Sequence, residues 1–253
     1  MENILTQLNK LEKDLDIKIL YACETGSRAW GFPSPDSDFD VRFIYMHKRD
    51  WYLSLAEKKD TIEVALKDNL DITGWDLKKS LVLLKKSNAS LIERFQSPME
   101  YFAEPSFKED FKKLIAAYYS PTAVFYHHYA LAKRFWEDIK DSNEIKLKSY
   151  CYLVRSLLSC NWIVKDKSVL PMHIEGLMQL TTEANKIMLS ELIALKATVG
   201  EKYLHPKNEA LHNLASELLD FIEASKDTLG VNDNSYAQPD EFFLKTLYGN
   251  ANN

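Results

Sequence analysis

Asp38 and Asp40 stand two apart at the head of an alternating run, Phe39-Asp40-Val41-Arg42-Phe43-Ile44-Tyr45-Met46. In a strand, such positions share one face and lie roughly 6.5–7 Å apart at the backbone. Their carboxylates can then lean together and bridge two divalent ions on the order of 3.5–4 Å apart, the spacing used in two-metal phosphoryl transfer. Twelve residues before Asp38, Gly26-Ser27 follows the apolar run Ile17 to Cys23, where a tight turn can aim backbone N–H groups at a polyphosphate. Ser-Asp-x-Asp beside proline is also ordinary turn vocabulary, because short polar side chains bond their own backbone. What sets this stretch apart is order. A strand, a Gly-Ser turn, a spacer, an aspartate pair opening a second strand and a later aspartate on a third strand follow one another.

Those residues need elements to hold them. Ile4, Leu8, Leu11 and Leu15 recur at helical spacing, so residues 3–15 read as an amphipathic helix. Ile17 to Cys23 reads as a strand, as does Phe39 to Met46, with Phe39, Val41, Phe43 and Tyr45 on one face and Asp38, Asp40, Arg42 and Ile44 on the other. Ile62, Val64 and Leu66 mark another strand. Leu70 to Trp75 is expected to be a strand running directly into a helix that carries Leu77, Leu81 and Leu84. Either Asp71 or Asp76 could face the aspartate pair. Asp76 precedes an apolar periodic run and has a ready explanation as a helix N-cap. Asp71 lacks one and is the preferred third carboxylate. A short helix is expected over Ala89 to Phe95, and a domain boundary at Glu104-Pro105. Beyond it the signals are helical: Phe107 to Tyr118, Pro121 to Ile139, Ile145 to Val164, Ser190 to Val199, Asn208 to Ala224 and Pro239 to Gly249. Seven glycines in the whole chain fit an all-helical second half. The stretch Gly230 to Gln238 reads as a linker and Asn250 to Asn253 as a frayed end. The expected fold class is α+β: a small mixed sheet flanked by helices in residues 1–104, then an all-helical domain in residues 105–253.

Composition narrows the function. The chain has 253 residues, 46% of them hydrophobic and 27% charged, as in globular proteins. No apolar run approaches the ~20 residues needed to cross a bilayer, and the N-terminus lacks a signal-peptide pattern, so no membrane partner and a cytoplasmic location are expected. Three cysteines, Cys23, Cys151 and Cys160, show neither an even framework nor metal-ligand spacing. The tandem His127-His128 points its rings about 100° apart in a helix and makes no two-ligand face. A net charge of −5 argues against a broad DNA-binding surface.

The common nucleotide motifs, G-x-x-x-x-G-K-[ST] and G-x-G-x-x-G, are missing from the sequence, so a phosphate site, if the chain has one, is expected at the Gly26-Ser27 turn. The string GSRAWGFPSPDSDFDVRFIY resembles the glycine-serine then aspartate-x-aspartate signature of the DNA polymerase beta nucleotidyltransferase superfamily. The chain is most similar there to a bacterial group of predicted nucleotidyltransferases, some encoded near RNA ligases. LDITGWDLKKSLVLLKKSNASLIERFQSP is similar to that group's strand-helix segment, with Asn88-Ala89 where an asparagine-proline is usual. KLKSYCYLVRSLLSCNWI resembles its helix bearing a lysine, a tyrosine and an arginine, here Lys148, Tyr152 and Arg155, with Ser156 where a proline is common.

The resemblance implies a polymerase-beta-type nucleotidyltransferase domain that moves an NMP from an NTP, with ATP the expected donor, to an acceptor hydroxyl, releasing pyrophosphate. Asp38, Asp40 and Asp71 would be the catalytic carboxylates and would hold Mg²⁺ or Mn²⁺, hard cations that prefer carboxylate oxygens. Gly26, Ser27 and Arg28 would hold the outer phosphates. Lys148, Tyr152 and Arg155, at i, i+4 and i+7, share one helix face, either a solvated stripe or a surface turned toward the triphosphate or base across an inter-domain cleft. The acceptor stays open among an RNA end, a protein side chain and a small molecule. Two alternatives stand beside this reading: a nucleotide- or partner-binding module without turnover, and an antitoxin-like protein that adenylylates a partner.

Overall fold

A computed structural model describes residues 2–67, 69–226 and 235–249. The chain is α+β. A five-stranded mixed sheet flanked by helices occupies the N-terminal part, and most of the remainder is helical. The described residues group into two units that the chain enters more than once. The first draws on Met1–Gly26, Asp38–Tyr119 and Asp233–Asn253, and the second on Ser27–Ser37 and Ser120–Asn232.

In the first unit, α1 (Glu2–Leu15) leads into β1 (Ile17–Thr25), and the sheet adds β2 (Phe39–His47), β3 (Thr61–Lys67), β4 (Leu70–Asp76) and β5 (Glu100–Ala103) in the order β3-β4-β2-β1-β5. β1 pairs antiparallel with both neighbours, β3 with β4 likewise, and β2 with β4 in parallel. The parallel pair follows from the connection. After β2 the chain returns through α3 (Arg49–Tyr52) and the edge strand β3, so β4 runs in the same direction as β2.

The alternation in the sequence is the alternation of faces. Val41, Phe43, Tyr45 and Ile72 join Ile4, Leu8, Ile17 and Ile19 in one buried cluster under α1. The opposite face carries α4 (Leu77–Lys85), α5 (Ala89–Arg94), α6 (Pro105–Tyr118) and α12 (Ala237–Gly249). There Tyr21, Phe95 and Phe111 stack, with ring centroids 4.7 and 4.4 Å apart in successive pairs. Arg94, buried on this face, lies 3.4 Å above the Trp75 ring and donates to the Phe43 carbonyl. Side-chain caps start the helices: Asp76, which the sequence marks as an N-cap, for α4, then Asn88 for α5 and Glu104 for α6.

The second unit contains α2 from Ser27 onward (α2 spans Gly26–Trp30), α7 (Pro121–Ile139), α8 (Leu147–Lys165), α9 (Ile174–Met178), α10 (Glu183–Lys196) and α11 (Glu209–Ser225). α8 is its centre, buried along most of its length. The second half is not purely helical. β6 (Glu144–Lys146) and β7 (Leu204–Pro206) form a two-stranded antiparallel ladder there, and in the first unit β5 was likewise unmarked in the sequence. Strands of three or four residues carry too little alternation to register as period two. The helical stretch expected over Ser190 to Val199 lies in α10 as far as Lys196, and α10 starts further upstream at Glu183, capped by Thr182. Residues 230–234 of the expected linker, and the expected frayed end 250–253, lie outside the described residues. Among the described residues no helix is long and apolar enough to cross a membrane.

Candidate active site

β1 ends at Thr25, and Gly26 turns the chain with φ +64°, a conformation that glycine adopts without strain. It also stands against a carboxylate. A Cβ at position 26 would meet the Asp40 Oδ2 at 2.0 Å. The backbone of Asp40 is pinned from both sides by the same strand end: the Thr25 hydroxyl donates to its carbonyl (3.1 Å), and its N–H donates to the Glu24 carboxylate (2.8 Å). Glu24 is fully buried and also accepts the Tyr101 hydroxyl, so an acid interrupting an apolar strand serves as an internal acceptor.

Because β2 and β4 are parallel, Asp40 and Asp71 are register partners at the same end of the sheet. Arg42, two residues along β2 and so on the face of Asp40, closes the group. Its Nη2 lies 3.0 Å from Asp40 Oδ1 and 2.8 Å from Asp71 Oδ2, and its Nη1 donates to the carbonyls of Val41 and Asp71. The two carboxylates thus converge on one positive nitrogen. Among the described residues no three Asp, Glu, His or Cys side chains come close enough together to hold a metal ion. Asp38 is half-buried just before β2, at the point where the chain rejoins the first unit.

Asp76 lies at the other end of β4, five residues and roughly 17 Å of strand from Asp71. It is buried, accepts the backbone N–H of Lys78 and the Tyr52 hydroxyl, both at 2.8 Å, and caps α4. Burial pushes its carboxyl up to about 6. A cavity of about 500 Å³ opens beside it, lined by Trp51, Tyr52, Lys58, Asp60 and Lys79 among others.

The remaining expected residues belong to the second unit. Arg28 donates to the Ser37 carbonyl at 2.7 Å, and the buried Ser27 hydroxyl donates to the Ser37 hydroxyl at 3.2 Å. Lys148 donates to Glu201 at 2.7 Å. Tyr152 packs edge-on against Trp30 at 5.2 Å between centroids, and Arg155, 4% exposed, sits 4.3 Å from the Trp30 ring. The shared helix face of these three therefore meets the 27–37 loop, by packing for Tyr152 and Arg155 and through Glu201 for Lys148.

Arg42 was visible in sequence only as a face-mate of the aspartates. Glu24 had a signal, a carboxylate inside an apolar strand. Glu201 and Lys196, which bind the loop from more than 160 residues away, had none.

The sequence profile of the RNA repair pathway DNA polymerase beta family matches residues 1–245. The chain is also similar to a protein of Bacillus subtilis (strain 168) described as uncharacterized protein YcgL, with 36% identity over 249 residues, covering 97% of this chain and 96% of the relative. A glycine turn set against a strand-borne aspartate, with a second aspartate in register on the neighbouring parallel strand, accords with that match, and the chain belongs to the RNA repair pathway DNA polymerase beta family.

Proposed function

We propose that the protein is a nucleotidyltransferase that moves an NMP from an NTP, with ATP as donor, to an acceptor hydroxyl. Family membership supports the transferase class. The observation that carries the finer reading is the convergence of Asp40 and Asp71 on one cationic nitrogen beside Gly26. Hard carboxylate oxygens already gathered around a positive charge suit Mg²⁺ or Mn²⁺, with Asp40 and Asp71 as the holding residues and Asp38 as the third. A bound ion would supply Lewis-acid activation of the acceptor hydroxyl and neutralise charge on the phosphates.

The chain's own groups divide the remaining work. The acceptor oxygen attacks the α-phosphorus, the bond from that phosphorus to the bridging oxygen breaks, and pyrophosphate leaves with the electron pair. Asp71, the more exposed of the two converging carboxylates, takes the acceptor's proton. The Gly26 turn, with Ser27 and Arg28 next along the chain, binds the outer phosphates through N–H, hydroxyl and guanidinium donors. The family's description in terms of RNA repair favours an RNA end as the acceptor.

Incubation with α-labelled ATP, Mg²⁺ and RNA tests this. Labelled RNA is expected from the wild type and from Asp76→Asn, and loss of about a hundredfold or more from Asp40→Asn and Asp71→Asn. Transfer by the two active-site variants at the wild-type rate would refute the assignment. Arg42 filling the space between the carboxylates favours one second reading, a nucleotide-binding module without turnover. That reading expects ATP binding indifferent to Mg²⁺ and no labelled product with any acceptor.

A further inference from the structure

The loop 27–37 carries three buried serines, Ser27, Ser34 and Ser37, and all three are wired to the segment that ends α10 and leads to β7. The Ser37 hydroxyl is the hub. It accepts the Ser34 N–H at 2.9 Å and the Ser27 hydroxyl at 3.2 Å, and it donates to Glu201 Oε1 at 3.1 Å. Glu201 is itself held at two further points, because its other oxygen accepts the Lys148 ammonium at 2.7 Å and its backbone N–H donates to the Asp36 carboxylate at 2.9 Å. Alongside, Lys196, 1% exposed, donates to the Ser34 hydroxyl at 2.8 Å. An ammonium is buried only where its hydrogen bonds offset desolvation, so this contact fixes Ser34 firmly.

A hydroxyl has one proton to give. Ser37 spends its proton on Glu201, so Ser27 must direct its own proton toward Ser37. When an anionic oxygen accepts a hydrogen bond from the Ser27 hydroxyl, the Ser27 oxygen turns a lone pair toward Ser37. The Ser37 proton can then turn from Glu201 to Ser27, while Lys148 continues to neutralise Glu201. No bond to carbon or phosphorus changes, and two protons only rotate.

We propose that Glu201 is a positioning residue for phosphate binding. Through Ser37 it sets the direction of the Ser27 hydroxyl, and it yields a hydrogen bond when a nucleoside triphosphate oxygen engages Ser27. The inference rests on the reading of the Gly26-Ser27 turn as the phosphate site. It also gives Lys148 a role through Glu201, as the charge that keeps the carboxylate in place.

The test is ATP binding in the presence of Mg²⁺, measured by calorimetry on the full chain, for the wild type, Ser27→Ala, Glu201→Ala, Glu201→Gln and the double variant Ser27→Ala/Glu201→Ala. Glu201→Ala, which leaves the Ser37 proton free to turn to Ser27 before the nucleotide arrives, is expected to tighten binding about tenfold. Glu201→Gln, whose amide oxygen still accepts from Ser37, stays close to the wild type. The double variant binds as Ser27→Ala alone, so that the gain appears only where Ser27 is present, a non-additivity that general loosening of the fold would not produce. Wild-type or weaker affinity in Glu201→Ala, or the same gain from it in the Ser27→Ala background, overturns the proposal. Failure of the underlying reading shows differently: either the wild type binds no ATP, or Ser27→Ala binds it as the wild type does.

Discussion

Replacing Arg42 by Met keeps most of the side-chain stem and removes a cation shared by Asp40 and Asp71. Both carboxylate oxygens lie within 3.0 Å of a single nitrogen, so without it two like charges face each other at less than about 6 Å. At an effective dielectric of about 20, that repulsion is about 3 kcal/mol. Asp40 is 28% and Asp71 38% exposed, and solvent screening reduces the effect to about 1–2 kcal/mol. For a chain of this size that corresponds to a fall in Tm of about 2–8 °C at low ionic strength. Millimolar Mg²⁺ should restore much of this loss, because the ion replaces the missing charge, while raising the wild-type Tm far less, because there it must displace Arg42. Thermal unfolding of both proteins with and without Mg²⁺ reads the difference directly. Equal Tm values without metal, or equal shifts on adding it, would show that Arg42 does not neutralise the carboxylate pair.

Gly26→Ala forces a side chain into a left-handed conformation and a Cβ into the Asp40 carboxylate. It should lower transfer activity at least about tenfold and stability by about 2 kcal/mol, with circular dichroism checking that the fold persists. Asp76 gives a pH prediction whose sign is fixed by its carboxyl being pushed up to about 6 in the folded chain, from an ordinary 3.8. The folded state holds this proton more tightly than the unfolded state. Its contribution is therefore present below about pH 4 and is lost as pH rises through about 6, an effect of about 3 kcal/mol. Asp76→Asn, which can still cap α4, should abolish that component in urea titrations at acidic and neutral pH, and an unchanged pH dependence would contradict the assignment.

The strands that bear the carboxylates were legible because half-buried sheet positions alternate. Phe39 to Met46 shows its two faces in the sequence as clearly as in the structure. Asp76 could be set apart from Asp71 by its place before a periodic apolar run, and its cap hydrogen bond to Lys78 N–H is the contact that such a placement describes. What could not be read was anything that depends on distant pairing. The neutralisation of Asp40 and Asp71 by Arg42 requires β2 and β4 to be parallel and in register, which β3 decides and no local pattern encodes. The division of the signature loop from the strands around it was hidden for the same reason. Ser27 to Ser37 looks continuous with Asp38 in sequence, yet its distant polar partners, Lys196 and Glu201, lie at the end of α10 and just beyond it. The i, i+4, i+7 spacing correctly placed Lys148, Tyr152 and Arg155 on one side of α8, but spacing says nothing about what that side touches.

The alternation of the chain between its two units sets a timetable for its birth. A ribosome adds about 5–20 residues per second, so roughly 10–30 seconds separate the synthesis of Ser37 from that of Glu201, 164 positions later. During that interval Trp30 and Phe32, which end packed against Tyr152, have no partners from α8 onward to cover them. The sheet waits as well, since Phe242 of α12 supplies the last ring beside Phe107 and Phe111. The nascent chain thus displays its aspartates early and its aromatic loop uncovered, a state that ribosome-bound chains of increasing length, probed by limited proteolysis, would reveal.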